Sequence, residues 1–137
     1  MMNVEILKLL QAHNNVANGI IIPIAVKEYV DKIIQYATVV PFWSQGHLEG
    51  FIAYYSNDEA MEYAFLTMLL ISKDFQGRGI GKLLLEFSIK DLTKRGFKNY
   101  GLEVLKSNEN AKRLYERLGF ITKETRGELW YMEKTLK

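Results

Sequence analysis

The feature that most constrains this chain is a glycine-rich stretch, Gln76-Gly77-Arg78-Gly79-Ile80-Gly81-Lys82, set between an apolar run and an amphipathic one. Upstream, Glu62 to Ile71 reads as a strand too apolar toward its end for a solvent-facing edge, which places it centrally in a sheet. Downstream, Gly79 to Arg95 predicts a helix. Ile80, Leu83, Leu84, Phe87 and Leu92 form its apolar stripe, Lys94 and Arg95 complement its C-terminal dipole, and Gly96 caps it. Glycines let backbone pass close to a ligand, and the free N–H groups of a helix start favour anions. The stretch therefore suits a phosphate or pyrophosphate, with Arg78 and Lys82 adding positive charge. It equally suits a turn that merely starts a helix, and the loop alone leaves both open.

The rest of the chain builds outward from this unit. Residues 3–12 predict a short helix on Val4, Ile6, Leu7, Leu9 and Leu10, and His13 to Gly19 a polar loop. Pro23 suits the start of a second helix, with Ile24, Val26, Val30, Ile33, Ile34 and Ala37 on one face. Thr38 to Ser44 and Leu48 to Tyr55 read as a hairpin around Gln45-Gly46. After the glycine loop and its helix come a central strand, Phe97 to Leu105, and a helix, Asn108 to Leu118, closed by Gly119. Phe120 to Thr125 and Glu128 to Lys134 form a last hairpin around Arg126-Gly127. Strands alternate with helices only in the middle, so the expected fold class is α/β (α+β), a mixed sheet with parallel strands at its centre. One domain over 1–137 is expected, with a helical segment at 1–37 and a core at 38–137.

Composition excludes several chemistries. There is no cysteine, hence no thiolate nucleophile and no Cys-based metal site, and His13 and His47 stand apart, so no metal is expected. Lys plus Arg exceeds Asp plus Glu by 18 − 16 = +2, and the charges are scattered, which argues against nucleic acid and an anionic membrane as partners. No apolar run approaches the ~20 residues of a membrane span, and Glu5 and Lys8 interrupt the start as they would not in a signal peptide. A cytoplasmic protein is expected, and a homodimer on base rate alone.

Two nucleotide motifs fail here. A Walker loop needs Ser or Thr after its lysine, whereas Leu83 follows Lys82, and Gln76 stands where its first glycine belongs. A dinucleotide fingerprint finds Gly77, Gly79 and an acidic Glu103, but Lys82 stands at its third glycine and the loop is too long.

Ile71 to Gly81 resembles the acyl-CoA loop of the GCN5-related N-acetyltransferase (GNAT) superfamily, signature Gln/Arg-x-x-Gly-x-Gly/Ala, through Gln76, Gly79 and Gly81. Leu102-Glu103-Val104, and then Asn108, Ala111, Tyr115, Gly119 and Phe120 at the family's spacing, resemble its second segment. The resemblance runs from about Thr38 to the C-terminus. It departs at the start, where a helix replaces the family's first strand, and at Lys73, which replaces a proline. It implies a mostly antiparallel sheet with a splayed parallel pair at its centre, flanked by helices, and acetyl-CoA as co-substrate.

The resemblance also implies roles. Backbone N–H groups of Gln76, Gly77, Arg78, Gly79, Ile80 and Gly81 would hold the pyrophosphate. Leu69, Leu70 and Ile71 would pair their main chain with the pantetheine arm while their side chains serve the core. Asn108 would contact the same arm, and as an asparagine it is also a helix N-cap. Tyr115 would protonate the leaving thiolate; a phenol with a pKa near 10 is protonated at neutral pH, although a core aromatic also fits here. The amine must be neutral to attack, so a carboxylate is needed. Glu103 resembles the base of the branch acting on the N-terminal alanine of a ribosomal protein, and Glu62 is the alternative. Tyr36, Trp43, Tyr63, Trp130 and Tyr131 are candidates for the acceptor cleft. The chain is therefore expected to be an N-acetyltransferase acting by direct attack of the amine. A small-molecule amine is favoured as acceptor because no acidic patch is visible for basic peptides. A protein N-terminus or lysine, or a non-catalytic acyl-CoA sensor, are the alternatives.

Overall fold

The computed structural model describes residues 2–16 and 26–137, with side chains for 2–10 and 26–137. Helices α1 (Met2–Val16) and α2 (Val26–Tyr36) precede β1 (Thr38–Ser44), β2 (His47–Tyr55) and β3 (Tyr63–Ile71). After a 3-10 turn at Lys73–Phe75 come α3 (Ile80–Arg95), β4 (Asn99–Leu105), α4 (Glu109–Arg117), β5 (Ile121–Arg126) and β6 (Leu129–Thr135). Helix α1 runs on through His13 to Val16, where a loop was expected. Residues 17–25, including the rest of that loop, Pro23 and Ile24, lie outside the described residues.

The six strands form one sheet in the order β1-β2-β3-β4-β6-β5. Only β3 and β4 run parallel; every other pair is antiparallel. This is the mixed, mostly antiparallel sheet with a central parallel pair. Its core lies in two layers. Helices α3 and α4 cover one face, burying Ile52, Tyr54, Leu66, Leu85, Leu102 and Met132. Helices α1 and α2 cover the other face over β1 to β3 only, burying Ile6, Leu10, Ile33, Phe51 and Leu70. Among the described residues, the half of that face formed by β4, β6 and β5 has no helix among its apolar neighbours.

Helix α3 turns a different stripe inward from the one its apolar residues suggest. Ile80, Leu84, Leu85, Ser88 and Leu92 are buried, whereas Leu83 and Phe87 are 61% and 52% exposed. The stripe passes through a polar residue: the Ser88 hydroxyl donates to the Leu85 carbonyl at 2.7 Å and lies 2.9 Å from the Tyr100 hydroxyl. Satisfied in this way, a serine is tolerated inside a core.

The parallel pair is short. It runs from Tyr63 opposite Asn99 to Leu66 opposite Leu102 and stops there, although both strands continue. The cause is a bulge. Ala53 and Tyr54 of β2 face Met68 and Leu66, so Thr67 is an extra residue on β3, and bulges bend and twist a strand. Beyond Thr67 the two central strands separate.

Candidate functional site

The bulge rephases the strand. Ala64 and Leu66 face the α3–α4 layer before it, and Leu69 and Ile71 pack toward that layer after it. The Ser72 amide donates to the Glu49 carbonyl across β2 at 2.7 Å. In an antiparallel ladder alternate residues bond to the partner, so Leu70 also spends its N–H on β2, while the N–H groups of Leu69 and Ile71 point into the gap toward β4. Of the three residues expected to offer main chain to an acyl arm, Leu69 and Ile71 are free to do so and Leu70 is not. The Ile71 carbonyl, which faces the same gap, accepts from Gln76 Nε2 at 3.0 Å. The Gln76 side chain thus ties the loop to the end of β3.

Past Gln76 the loop turns through two left-handed residues, Gly77 at φ +77° and Gly79 at φ +80°. These torsions cost little only for glycine. Gly79 is the N-cap of α3 and offers no side chain to the helix start, where Leu83 N–H is the first to bond back, to the Gly79 carbonyl. Among the described residues, no backbone N–H from Gly77 to Lys82 donates to a backbone carbonyl. All of these residues except Arg78 line a groove of about 440 Å³ with Ile71, Phe75, Gln76, Asn110, Ala111, Leu114 and Arg117. Lys82 and Arg117 bring positive charge to it; Arg78 sits over the Phe75 ring at 4.7 Å. A groove with free amides and two cations suits a pyrophosphate. Asn110 and Arg117 were not among the expected residues. Their spacing around Leu114 on one face of α4 was the available signal.

The gap between β3 and β4 continues this groove, the two sharing Ala111. It is lined by Thr67, Leu69, Glu103, Asn108 and Tyr115 among others. Asn108 caps α4, its Oδ1 accepting from the Ala111 amide at 3.2 Å, so its N-cap role coexists with a place on the wall. Tyr115 packs edge-on to Phe120 at 5.9 Å. Burial pushes its hydroxyl up to about 12, so it is protonated at neutral pH. Its hydroxyl has no hydrogen-bond partner among the described residues.

Glu103 reaches the gap from the opposite face of the sheet, since its neighbours Leu102 and Val104 point into the α3–α4 core. Its carboxylate meets Arg126 Nη1 at 3.2 Å, and Arg126 Nε meets Glu124 at 3.1 Å. Glu62 is not brought here. It precedes β3 at the far end, roughly 20 Å along the strand from Leu69 at about 3.3 Å per residue, and it pairs with Lys98 at 3.0 Å. Of the aromatic candidates, Tyr131 lies on the same face as Glu103, its register partner, whereas Trp130 is on the α4 side with Lys106 and Lys112 over its ring. The open face also carries Glu124 and Glu133 through the pairing of β5 and β6. The fold therefore gathers an acidic patch from charges scattered in sequence, and the reason given for a small-molecule acceptor does not hold.

The profile of the Acetyltransferase (GNAT) family matches residues 17–120. The chain belongs to this family. Among relatives of this GNAT chain, the [ribosomal protein bS18]-alanine N-acetyltransferase of Salmonella typhimurium is 45% identical over 60 residues, 44% of this chain and 40% of that protein. A probable spermine N(1)-acetyltransferase of Bacillus subtilis is 33% identical over 95 residues, 65% of this chain and 62% of that protein. The chain thus spans about two fifths of the length of the first of these relatives. The crystal structure of the ribosomal-protein-S18-alanine N-acetyltransferase from Escherichia coli superposes with a TM-score of 0.81, over 98% of this chain and 88% of that one, at 23% identity. That likeness establishes the GNAT fold. No helix among the described residues is long and apolar enough to cross a membrane.

Proposed function

We propose that this GNAT chain is an acetyl-CoA-dependent N-acetyltransferase that moves an acetyl group to a primary amine by direct attack. One observation carries the reading. The groove of unpaired amides opens into a strand gap whose opposite walls hold a carboxylate and a protonated phenol. Acetyl-CoA supplies an acetyl group activated as a thioester. The amides of Gly77 to Gly81, with Lys82 and Arg117, hold its pyrophosphate, and Leu69 and Ile71 offer N–H groups to the pantetheine arm and the thioester carbonyl. Asn108 stands beside that arm. Glu103, directly or through water, takes the proton from the acceptor ammonium so that a neutral nitrogen can attack. As the new C–N bond forms and the C–S bond breaks, Tyr115 gives its proton to the sulfur, and the proton that the nitrogen sheds on becoming an amide returns to the Tyr115 phenolate through water.

Two acceptors are supported. A small-molecule polyamine accords with the relative that matches the larger share of this chain, the spermine enzyme. A protein N-terminus accords with the relative of higher identity, the bS18-alanine enzyme.

The test is calorimetric titration with acetyl-CoA, CoA and NAD in parallel, followed by thiol release with spermine and with a peptide beginning in alanine. Micromolar binding of acetyl-CoA, none of NAD, and amine-dependent thiol release are expected. Absence of acetyl-CoA binding overturns the whole assignment; binding without thiol release on any amine leaves a sensor domain.

A further inference from the structure

Arg126 occupies a place whose chemistry suits a cation. Its guanidinium is held between two carboxylates, Glu103 at 3.2 Å and Glu124 at 3.1 Å, and lies 4.0 Å from the centre of the Tyr131 ring. Carboxylates beside an aromatic face are the chemistry that seats an ammonium. The floor of this seat depends on Gly101, the residue two before Glu103 on β4: a Cβ there would run into the Tyr131 ring, so only glycine lets that ring lie across the strand. The Tyr131 hydroxyl is anchored by donating to Glu133 at 2.8 Å. The seat is thus built from three strands, and the group filling it comes from the exposed β5–β6 turn of the same chain.

The position of Glu103 gives this consequence. Glu103 also lines the strand gap beside Leu69 and Tyr115, and the oxygen that meets Arg126, Oε2, is engaged whenever Arg126 is in place. An amine that is to use this oxygen of Glu103, with the Tyr131 face beside it, must take that place.

We propose that Arg126 is a specificity-determining residue: an internal cation that occupies the acceptor's seat and yields it only to an acceptor that is itself cationic. The acceptor is therefore an amine bearing an ammonium at the reacting end, with further positive charge met by Glu124. A neutral or anionic acceptor gains nothing by displacing the guanidinium. Substitution of Arg126 leaves the amide groove untouched, because its side chain pairs with Glu103 on the face of the sheet away from α3 and α4 and does not line that groove. This inference rests on the acetyltransferase reading for the meaning of the seat, but its test does not need turnover.

The test is calorimetric titration of spermine into the unaltered chain, Arg126→Ala and Arg126→Lys at low and physiological salt. Where a site is competent only a fraction of the time, the apparent dissociation constant rises by the inverse of that fraction. Emptying the seat should tighten spermine binding by about tenfold, and Arg126→Lys, which restores a cation of similar reach, should return it toward the unaltered value. The gain in Arg126→Ala should shrink with salt and vanish in the double variant with Glu103→Gln. Equal or weaker spermine binding by Arg126→Ala, or no binding by any of the three proteins, overturns the proposal. A parallel acetyl-CoA titration separates the readings: if acetyl-CoA does not bind while spermine tightens, the acetyltransferase reading falls and the cation seat stands.

Discussion

Replacing Tyr115 by phenylalanine separates packing from chemistry, because the structure assigns them to different parts of one side chain. The ring is core: it packs against Phe120 and belongs to the cluster under α3 and α4. The hydroxyl contributes little to that core, having no hydrogen-bond partner among the described residues. Removing a hydroxyl that bonds to none of the described residues forfeits no hydrogen bond among them, so Tyr115→Phe should be as stable as the parent to within about 1 kcal/mol. At roughly 2–5 °C per kcal/mol for a domain of this size, the melting temperature should move by less than about 5 °C. Acetyl-CoA affinity should stay within about twofold, since the amide groove is untouched. Turnover should fall steeply, because a positioned general acid contributes typically 10²–10⁴-fold. The assay is thiol release at saturating acetyl-CoA and amine, with denaturant unfolding and calorimetry on the same preparation. Unchanged turnover would remove the acid role from Tyr115. A stability loss above about 2 kcal/mol would refute the packing argument by showing that the hydroxyl was bonded inside the core.

Three further outcomes follow from the geometry. Gly79→Ala meets no neighbour but must adopt φ +80°, so it should cost about 1–2 kcal/mol in denaturant unfolding, and it should weaken acetyl-CoA binding beyond what the lost stability explains; unaltered affinity would detach the loop from the ligand. Tyr29→Phe removes the hydroxyl that lies 3.0 Å from Thr67 Oγ1 at the bulge, and it should cost about 1 kcal/mol and raise the KM for acetyl-CoA with kcat nearly constant; a fall in kcat alone would speak against a positioning role. Burial pushes the Tyr115 hydroxyl up to about 12 and the buried Tyr100 higher still, against about 10 in an unfolded chain. The native state then holds protons that the unfolded state releases. Stability should be intact below pH 10 and lost as pH rises through 12, with Tyr115 alone worth about 2–3 kcal/mol, and urea midpoints between pH 9 and 11 should fall less in Tyr115→Phe.

Much of the architecture was legible because local signals agreed. Gln45-Gly46 and Arg126-Gly127 marked the hairpin turns, and Gly79 and Gly96 bracketed α3 with the left-handed torsions that glycine permits. The buried face of α3 was misread because Ser88 satisfies its hydroxyl inside the core, whereas Leu83 and Phe87 carry apolar surface outward. Hydrophobicity alone cannot tell these cases apart. The glycine loop and Asn108 were readable by type and spacing. What joins Glu103 to Arg126 was not, since that contact exists only through the register of β4, β6 and β5. The acidic patch escaped notice for the same reason: Glu103, Glu124 and Glu133 are scattered in sequence and become neighbours by pairing. Glu62 and Glu103 both looked available as bases, and only the length of β3 separates them.

The extra residue at Thr67 means that the opening between the central strands is set by counting as well as by chemistry. Even-numbered positions serve the α3–α4 layer up to Leu66, and odd-numbered positions serve it from Leu69 onward. Most side chains that fit at position 67 would preserve this change of phase. Deleting the residue would make the alternation regular and remove the bend, so that β3 could keep its pairing with β4 beyond Leu66 and the amides of Leu69 and Ile71 would be spent on β4. A family built on this frame can therefore diversify residue identities along β3 while its length stays fixed, and alignments that slide a gap into this strand would describe a sheet with no place for an acyl arm.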